Sequence, residues 1–169
     1  MNSDNFSLKS RLQIVIIANN KNKHMDEVKK IIVKEELFLQ LVEHAKKSLP
    51  YESVSIIAGY IKDEIAYAEL VYTPENIDKS PVTFTVDPLV LLDIYTAIEE
   101  KGKTIIGIFH THPSPPQPSK TDMTYMEVNP YVWMISSTNN IENPSGFILK
   151  SDGELKEVEV SIIQDSVQV

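Results

Sequence analysis

Residues 104–122 read TIIGIFHTHPSPPQPSKTD, and the fold follows from how that stretch divides. Thr104–His110 is an apolar run rich in β-branched residues, the pattern of a strand buried on both faces. A strand covered in that way lies inside a sheet with helices packed against it. The Pro-rich run Pro113–Pro118 ends it. A short helix then begins at Ser119, with Asp122 three residues on as in a capping box.

Working outward, the segment before this strand is a well-marked helix. Asp87 is a suitable N-cap, Pro88 occupies the first helical position, Leu91, Ile94, Tyr95 and Ile98 share a face, and Gly102 follows the end. Val82–Val86 reads as a strand, and Thr73–Pro81, with Pro74, Asn76 and Pro81, as a surface loop. Ser53–Ile61 and Glu64–Tyr72 form an expected antiparallel pair joined by a tight turn at Lys62 and Asp63. Phe38, Leu41, Val42, Ala45 and Leu49 recur at helical spacing, which predicts a helix over Glu35–Ser48 ended by Pro50. Downstream, Val132–Ser136, Gly146–Lys150 and Glu157–Ile163 read as strands. The expected class is α/β, a single domain with a mixed central β-sheet flanked by helices.

The chain has 169 residues, room for one domain. Residues 1–24 read as an N-terminal extension, 25–163 as the folded domain with Met25 a candidate start, and 164–169 as a frayed tail. Sixteen basic against 24 acidic residues give a net charge of −8, which disfavours a nucleic-acid partner. There is no cysteine, so disulfides, thiolate metal sites and cysteine nucleophiles are excluded. The apolar run Leu12–Ala18 is short of the roughly 20 residues of a membrane span. Asn19, Asn20 and Lys21 stand where a signal peptide would carry small cleavage-site residues. A soluble, cytoplasmic protein without a membrane partner is the expectation.

His110 and His112 lie two apart at a strand end, so both imidazoles point to one face with their roots roughly 7 Å apart. They read either as polar residues satisfied beside the core or as a pair converging on one ion. Ser119 and Asp122, taken alone, read as a helix cap. The short, stiff Pro-rich connection, however, can return Asp122 beside the His pair. Two imidazoles and a carboxylate make three ligands with a fourth position open, the pattern of a catalytic zinc site, and nitrogen ligands favour zinc over magnesium. Glu52, at a helix-to-strand junction, reads either as a solvated charge or as the non-ligand base that such a site needs. His24 and His44 read as solvated, Trp133 and Tyr131 as core or rim, and Glu127 as surface.

Glu52 in PYESVSIIAG, then His110-Thr-His112-Pro113, then Ser119-Lys-Thr-Asp122, resembles the JAMM (MPN+) metalloproteases over about residues 28–163, in the form of archaeal or bacterial single-domain members. The resemblance implies an MPN-like, cytidine deaminase-like architecture. It also implies a zinc isopeptidase that cleaves ubiquitin-like or small-modifier proteins after their C-terminal glycines. By position, His110, His112 and Asp122 would bind one zinc ion per chain, Glu52 would act as general base and then acid, and Ser119 would help hold the oxyanion. Six residues separate His112 from Ser119, one fewer than is usual in the family, and Ser55 stands where many members have glycine. Thr73–Pro81 falls where members clamp the substrate tail and is brief here. Two other readings stay open: an inactive MPN-type binding or scaffold module, and a peptidase that processes sulfur-carrier protein C-termini.

Overall fold

A five-residue strand that the sequence pattern does not announce decides the architecture. In the computed structural model, which describes residues 24–164, Lys30–Lys34 forms β1. It is followed by α1 (Glu35–Ser48), β2 (Val54–Lys62), β3 (Ile65–Tyr72), α2 (Pro88–Glu100) and β4 (Thr104–His112). Helix α3 (Lys120–Val128) and strands β5 (Val132–Ser137), β6 (Asn140–Leu149) and β7 (Leu155–Ile163) complete the order. The strands neighbour one another as β1-β3-β2-β4-β5-β6-β7, and β1 pairs in parallel with both β3 and β7. The sheet therefore has no free edge: it closes into a mixed seven-strand barrel. The expectation of a central sheet flanked by helices, and the cytidine deaminase-like layering that went with it, are corrected on this point. The calls on the first 23 residues, including Leu12–Ala18, and on the last five fall outside the described residues.

Each element has a local cause. Helix α1 turns Leu37, Phe38, Leu41, Val42 and Ala45 inward and packs against β1, β3, β4, β6 and β7. Asp87 caps α2 by accepting from the backbone N–H of Leu89 and Val90. Asp63 and Glu64, both at positive φ, make the tight turn of the β2–β3 hairpin. Beside the β2 bulge at Ala58 and Gly59, a Cβ at position 59 would lie 1.9 Å from the Tyr67 carbonyl oxygen, so only glycine fits. Strand β4 sits between β2 and β5 and is buried from Ile105 to His112, because α1 and α2 cover what the barrel does not. Its core neighbours include Trp133, Met134 and Ile135 of β5 and Ile56 and Ile57 of β2.

Val82–Val86 is not a strand. Its backbone is taken up within its own loop: Thr85 N–H donates to the Asn76 side chain, and the Thr83 carbonyl accepts from it. His44 is half-buried on α1 rather than solvated, and burial lowers its pKa from the usual histidine value. Among the described residues no helix is long and apolar enough to cross a membrane.

Ser55 is fully buried in β2 and its hydroxyl has no hydrogen-bond partner among the described residues. An unsatisfied buried hydroxyl costs about 1–3 kcal/mol, and alanine keeps the Cβ while removing it. Ser55→Ala is therefore expected to stabilise the fold by about 1 kcal/mol. The check is a higher urea midpoint at an unchanged slope; a lower midpoint would contradict it.

Candidate metal centre and its cleft

The register of the barrel brings the separated residues together. Val54 of β2 pairs with His110 of the antiparallel β4, so two steps back along one strand meet two steps forward along the other. That places Glu52 beside His112. Ser53 fixes the junction: its N–H donates to Thr111 Oγ1 at 3.1 Å, and its carbonyl accepts from Thr111 N–H. At the far end of β4 the His112 carbonyl accepts from Thr138 N–H at 2.7 Å, which holds the strand against the turn after β5.

The six residues Pro113–Pro118 return the chain to α3, whose first turn carries a complete capping box. Ser119 Oγ accepts from Asp122 N–H at 3.1 Å, and Asp122 Oδ2 accepts from Ser119 N–H at 2.7 Å. The structural reading of this pair is therefore correct as far as it goes. The same carboxylate also reaches across to β4. Asp122 Oδ1 lies 3.3 Å from His110 Nε2, Asp122 Oδ2 lies 3.1 Å from His112 Nε2, and the two Nε2 atoms are 2.8 Å apart.

Donors about 2.0–2.1 Å from a tetrahedral zinc would lie roughly 3.3 Å from one another, so a triangle with these edges has the right size. The donor set fits as chemistry too, with two imidazole nitrogens and one carboxylate, all three residues buried. His110 Nδ1 is buried without a hydrogen-bond partner among the described residues, and Nε2 is the atom turned toward the other donors. His110, His112 and Asp122 could thus hold a metal ion.

Charge is distributed unevenly over the group. Burial lowers the His110 pKa, with Asp122 opposing the shift. At His112 burial acts in the same direction, but Asp122 and Glu52 outweigh it and the pKa rises. Burial would raise the Asp122 carboxyl; hydrogen bonds with both imidazoles and with Ser119 hold it well below the usual carboxylate range instead. Glu52, 4% exposed, has its Oε1 3.9 Å from His112 Nε2. Burial pushes its carboxyl up to about 7, with His112 opposing and the Asp122 charge adding to the rise.

Glu52, His112, Ser119 and Asp122 open on one cleft of about 640 Å³, whose facing wall is the loop residues Ser80 and Val82–Thr85. His110 lies behind, its ring against Phe84 at 5.3 Å and edge-on to Trp133 at 5.5 Å. Trp133 is core, fully buried, with its indole N–H on the Asn129 carbonyl. All five residues singled out from the sequence stand around one point. Phe84, Asn76 and Tyr125 escaped that reading. Phe84 and Asn76 lie in a stretch whose composition says only strand or loop, and Tyr125, on α3, carries no motif.

Comparison with known proteins gives a consistent picture. The model of a family described as prokaryotic homologs of the JAB domain matches residues 34–147, a span that holds all five. A desampylase of Pyrococcus furiosus is 32% identical over 84 residues, 49% of this chain and 59% of that protein. A probable TtuB-protein conjugate cleaving protease of Thermus thermophilus is 35% identical over 82 residues, 47% of this chain and 52% of that protein. The chain thus spans between half and three fifths of the length of these two relatives. A CysO-cysteine peptidase of Mycobacterium tuberculosis is 23% identical over 79% of this chain and 92% of its own length. A solution structure of a protein from Desulfitobacterium hafniense superposes with a TM-score of 0.69 at 27% identity, covering 80% of this chain and 94% of that one.

Proposed function

The chain belongs to the prokaryotic homologs of the JAB domain, and from that premise we propose that it is a zinc-dependent metallopeptidase. Its reaction is hydrolysis of the bond after the C-terminal Gly-Gly of a ubiquitin-like or small-modifier protein. The observation that carries the reading is the position of Glu52. A buried carboxylate that is not part of the donor triangle stands 3.9 Å from one of its imidazoles, in the same cleft. The names of the relatives, a desampylase and a probable TtuB-protein conjugate cleaving protease, support the choice of substrate class.

His110, His112 and Asp122 would hold the zinc, which when bound supplies Lewis-acid chemistry by polarising the scissile carbonyl and acidifying a water. Glu52 takes the proton of the attacking water on its carboxylate and hands it to the leaving amine. The Ser119 hydroxyl accepts from Asp122 N–H, which leaves its own hydrogen to donate to the developing negative oxygen in the cleft. The loop opposite provides a wall along which an extended Gly-Gly tail can lie, and glycine is the residue that passes a narrow channel most easily.

A second reading, trimming of a sulfur-carrier protein behind its Gly-Gly end, is favoured by the CysO-cysteine peptidase relative. One experiment separates the readings. Purified protein is analysed for metal, then offered linear Gly-Gly fusions and Lys-linked conjugates of a small modifier, with and without chelator. About one zinc per chain and cleavage lost to chelator and restored by zinc are expected. Cleavage of linear fusions alone would favour the carrier-trimming reading. Zinc without cleavage of either would leave a binding module, and no zinc would overturn the proposal.

A further inference from the structure

We infer that Asn76 is a positioning residue for Glu52, and that through it the cleft-lining loop forms part of the mount of the base. The inference rests on the reading of Glu52 given above and adds a residue to which no role is attached there.

Glu52 lies before the first residue of β2, so the sheet does not hold its peptide groups. The loop does. Glu52 N–H donates to the Ser80 carbonyl at 2.8 Å, and the Glu52 carbonyl accepts from Asn76 Nδ2 at 2.9 Å. Asn76 is 7% exposed and its amide is fully used. Nδ2 also donates to the Thr83 carbonyl at 2.9 Å, while Oδ1 accepts from the N–H groups of Asp78 and Thr85, each at 3.0 Å. Two donors meet two carbonyls and one oxygen meets two N–H groups, so the orientation of the amide is fixed by its surroundings.

The same ten-residue segment is closed by Ile77 N–H on the Thr85 carbonyl and by Thr85 Oγ1 on Asp78 Oδ2 at 2.8 Å. Asn76 is the hub of that closed loop and its bond to Glu52. On the other side Ser53 is tied to Thr111, between the two histidines. Glu52 thus hangs between a fixed anchor on β4 and an anchor that is itself a wall of the cleft. Movement of the wall moves the base, and a misplacement of about 1 Å is enough to cost a reacting group about a hundredfold in rate.

Asn76→Asp keeps the two acceptor contacts but turns a carboxylate oxygen toward the carbonyls of Glu52 and Thr83. Its kcat is expected to fall tenfold or more with KM within about threefold of the parent and zinc content unchanged, since the donor triangle lies on β4 and α3. Amide hydrogen exchange provides a readout that needs no substrate. In the parent protein Glu52, Ile77, Asp78 and Thr85 should exchange as one unit, and in Asn76→Asp all four should exchange at least tenfold faster while Ile135 of β5 does not change. A kcat within twofold of the parent would overturn the inference, as would a Glu52 amide that exchanges independently of the loop amides. The parent measurement decides the matter even where the variant does not fold. Parent-like cleavage by Glu52→Gln would instead overturn the reading of Glu52 as base, leaving the exchange result to stand or fall by itself.

Discussion

Glu52→Gln is expected to lower cleavage by about a hundredfold or more while leaving zinc content and fold as they are. The substitution is nearly isosteric, and it removes the carboxylate that stands 3.9 Å from His112 Nε2 without a place in the donor triangle; Asp78, which also lines the cleft, is held in the facing loop by Thr85 Oγ1. His110, His112 and Asp122 are within 3.3 Å of one another, and their lone pairs are committed to that point. Ser119 Oγ already accepts from a backbone N–H. Neither the triangle nor Ser119 can take over the transfer. Stability should not fall, because an amide is less costly to bury than a carboxylate. Capture of a Gly-Gly-ended modifier by the variant should therefore survive, measured by calorimetry beside the cleavage assay. Cleavage within tenfold of the parent would sink the role assigned to Glu52.

The residues around Glu52 were legible because their chemistry is unusual for where they stand. Two histidines at the end of an apolar strand, and an acid returned by a stiff Pro-rich turn, stand out in any sequence. Helix α1 was legible down to its bounds, since five apolar residues at helical spacing and a following proline leave little choice. The closing strand was not. Lys30–Lys34 runs without a breaker into α1, it is only five residues long, and its partners β3 and β7 are parallel to it and far away in the chain. Parallel pairing leaves no hairpin turn to read, so the barrel looked like an open sheet. Val82–Val86 failed for the opposite reason. It has strand composition but no strand of the described residues beside it, because Asn76 and Ile77 use the backbone groups that a neighbour would need. An asparagine between prolines looks like loop filler until its four hydrogen bonds are seen.

Asp122 serves two ends with one carboxylate, and a pair of substitutions should separate them. Asp122→Ala is expected to lose the zinc, with cleavage falling to background, and also to destabilise the metal-free protein by about 1 kcal/mol. The first effect follows from removing one of only three donors, since two imidazoles alone leave a site open to water on two sides. The second follows from the capping box. Ser119 N–H loses its acceptor at 2.7 Å, at a helix N-terminus where a negative charge is favoured. Asp122→Asn keeps an oxygen for Ser119 N–H but loses the charge, so it should recover most of the stability while zinc affinity stays far below the parent's. Zinc content reads the ligand role, and thermal unfolding of the metal-free proteins reads the cap, so neither measurement borrows from the other. Asparagine binding zinc as tightly as the parent would show that charge at this position is dispensable. Alanine binding it as tightly would reduce Asp122 to a helix cap and remove the third donor from the site.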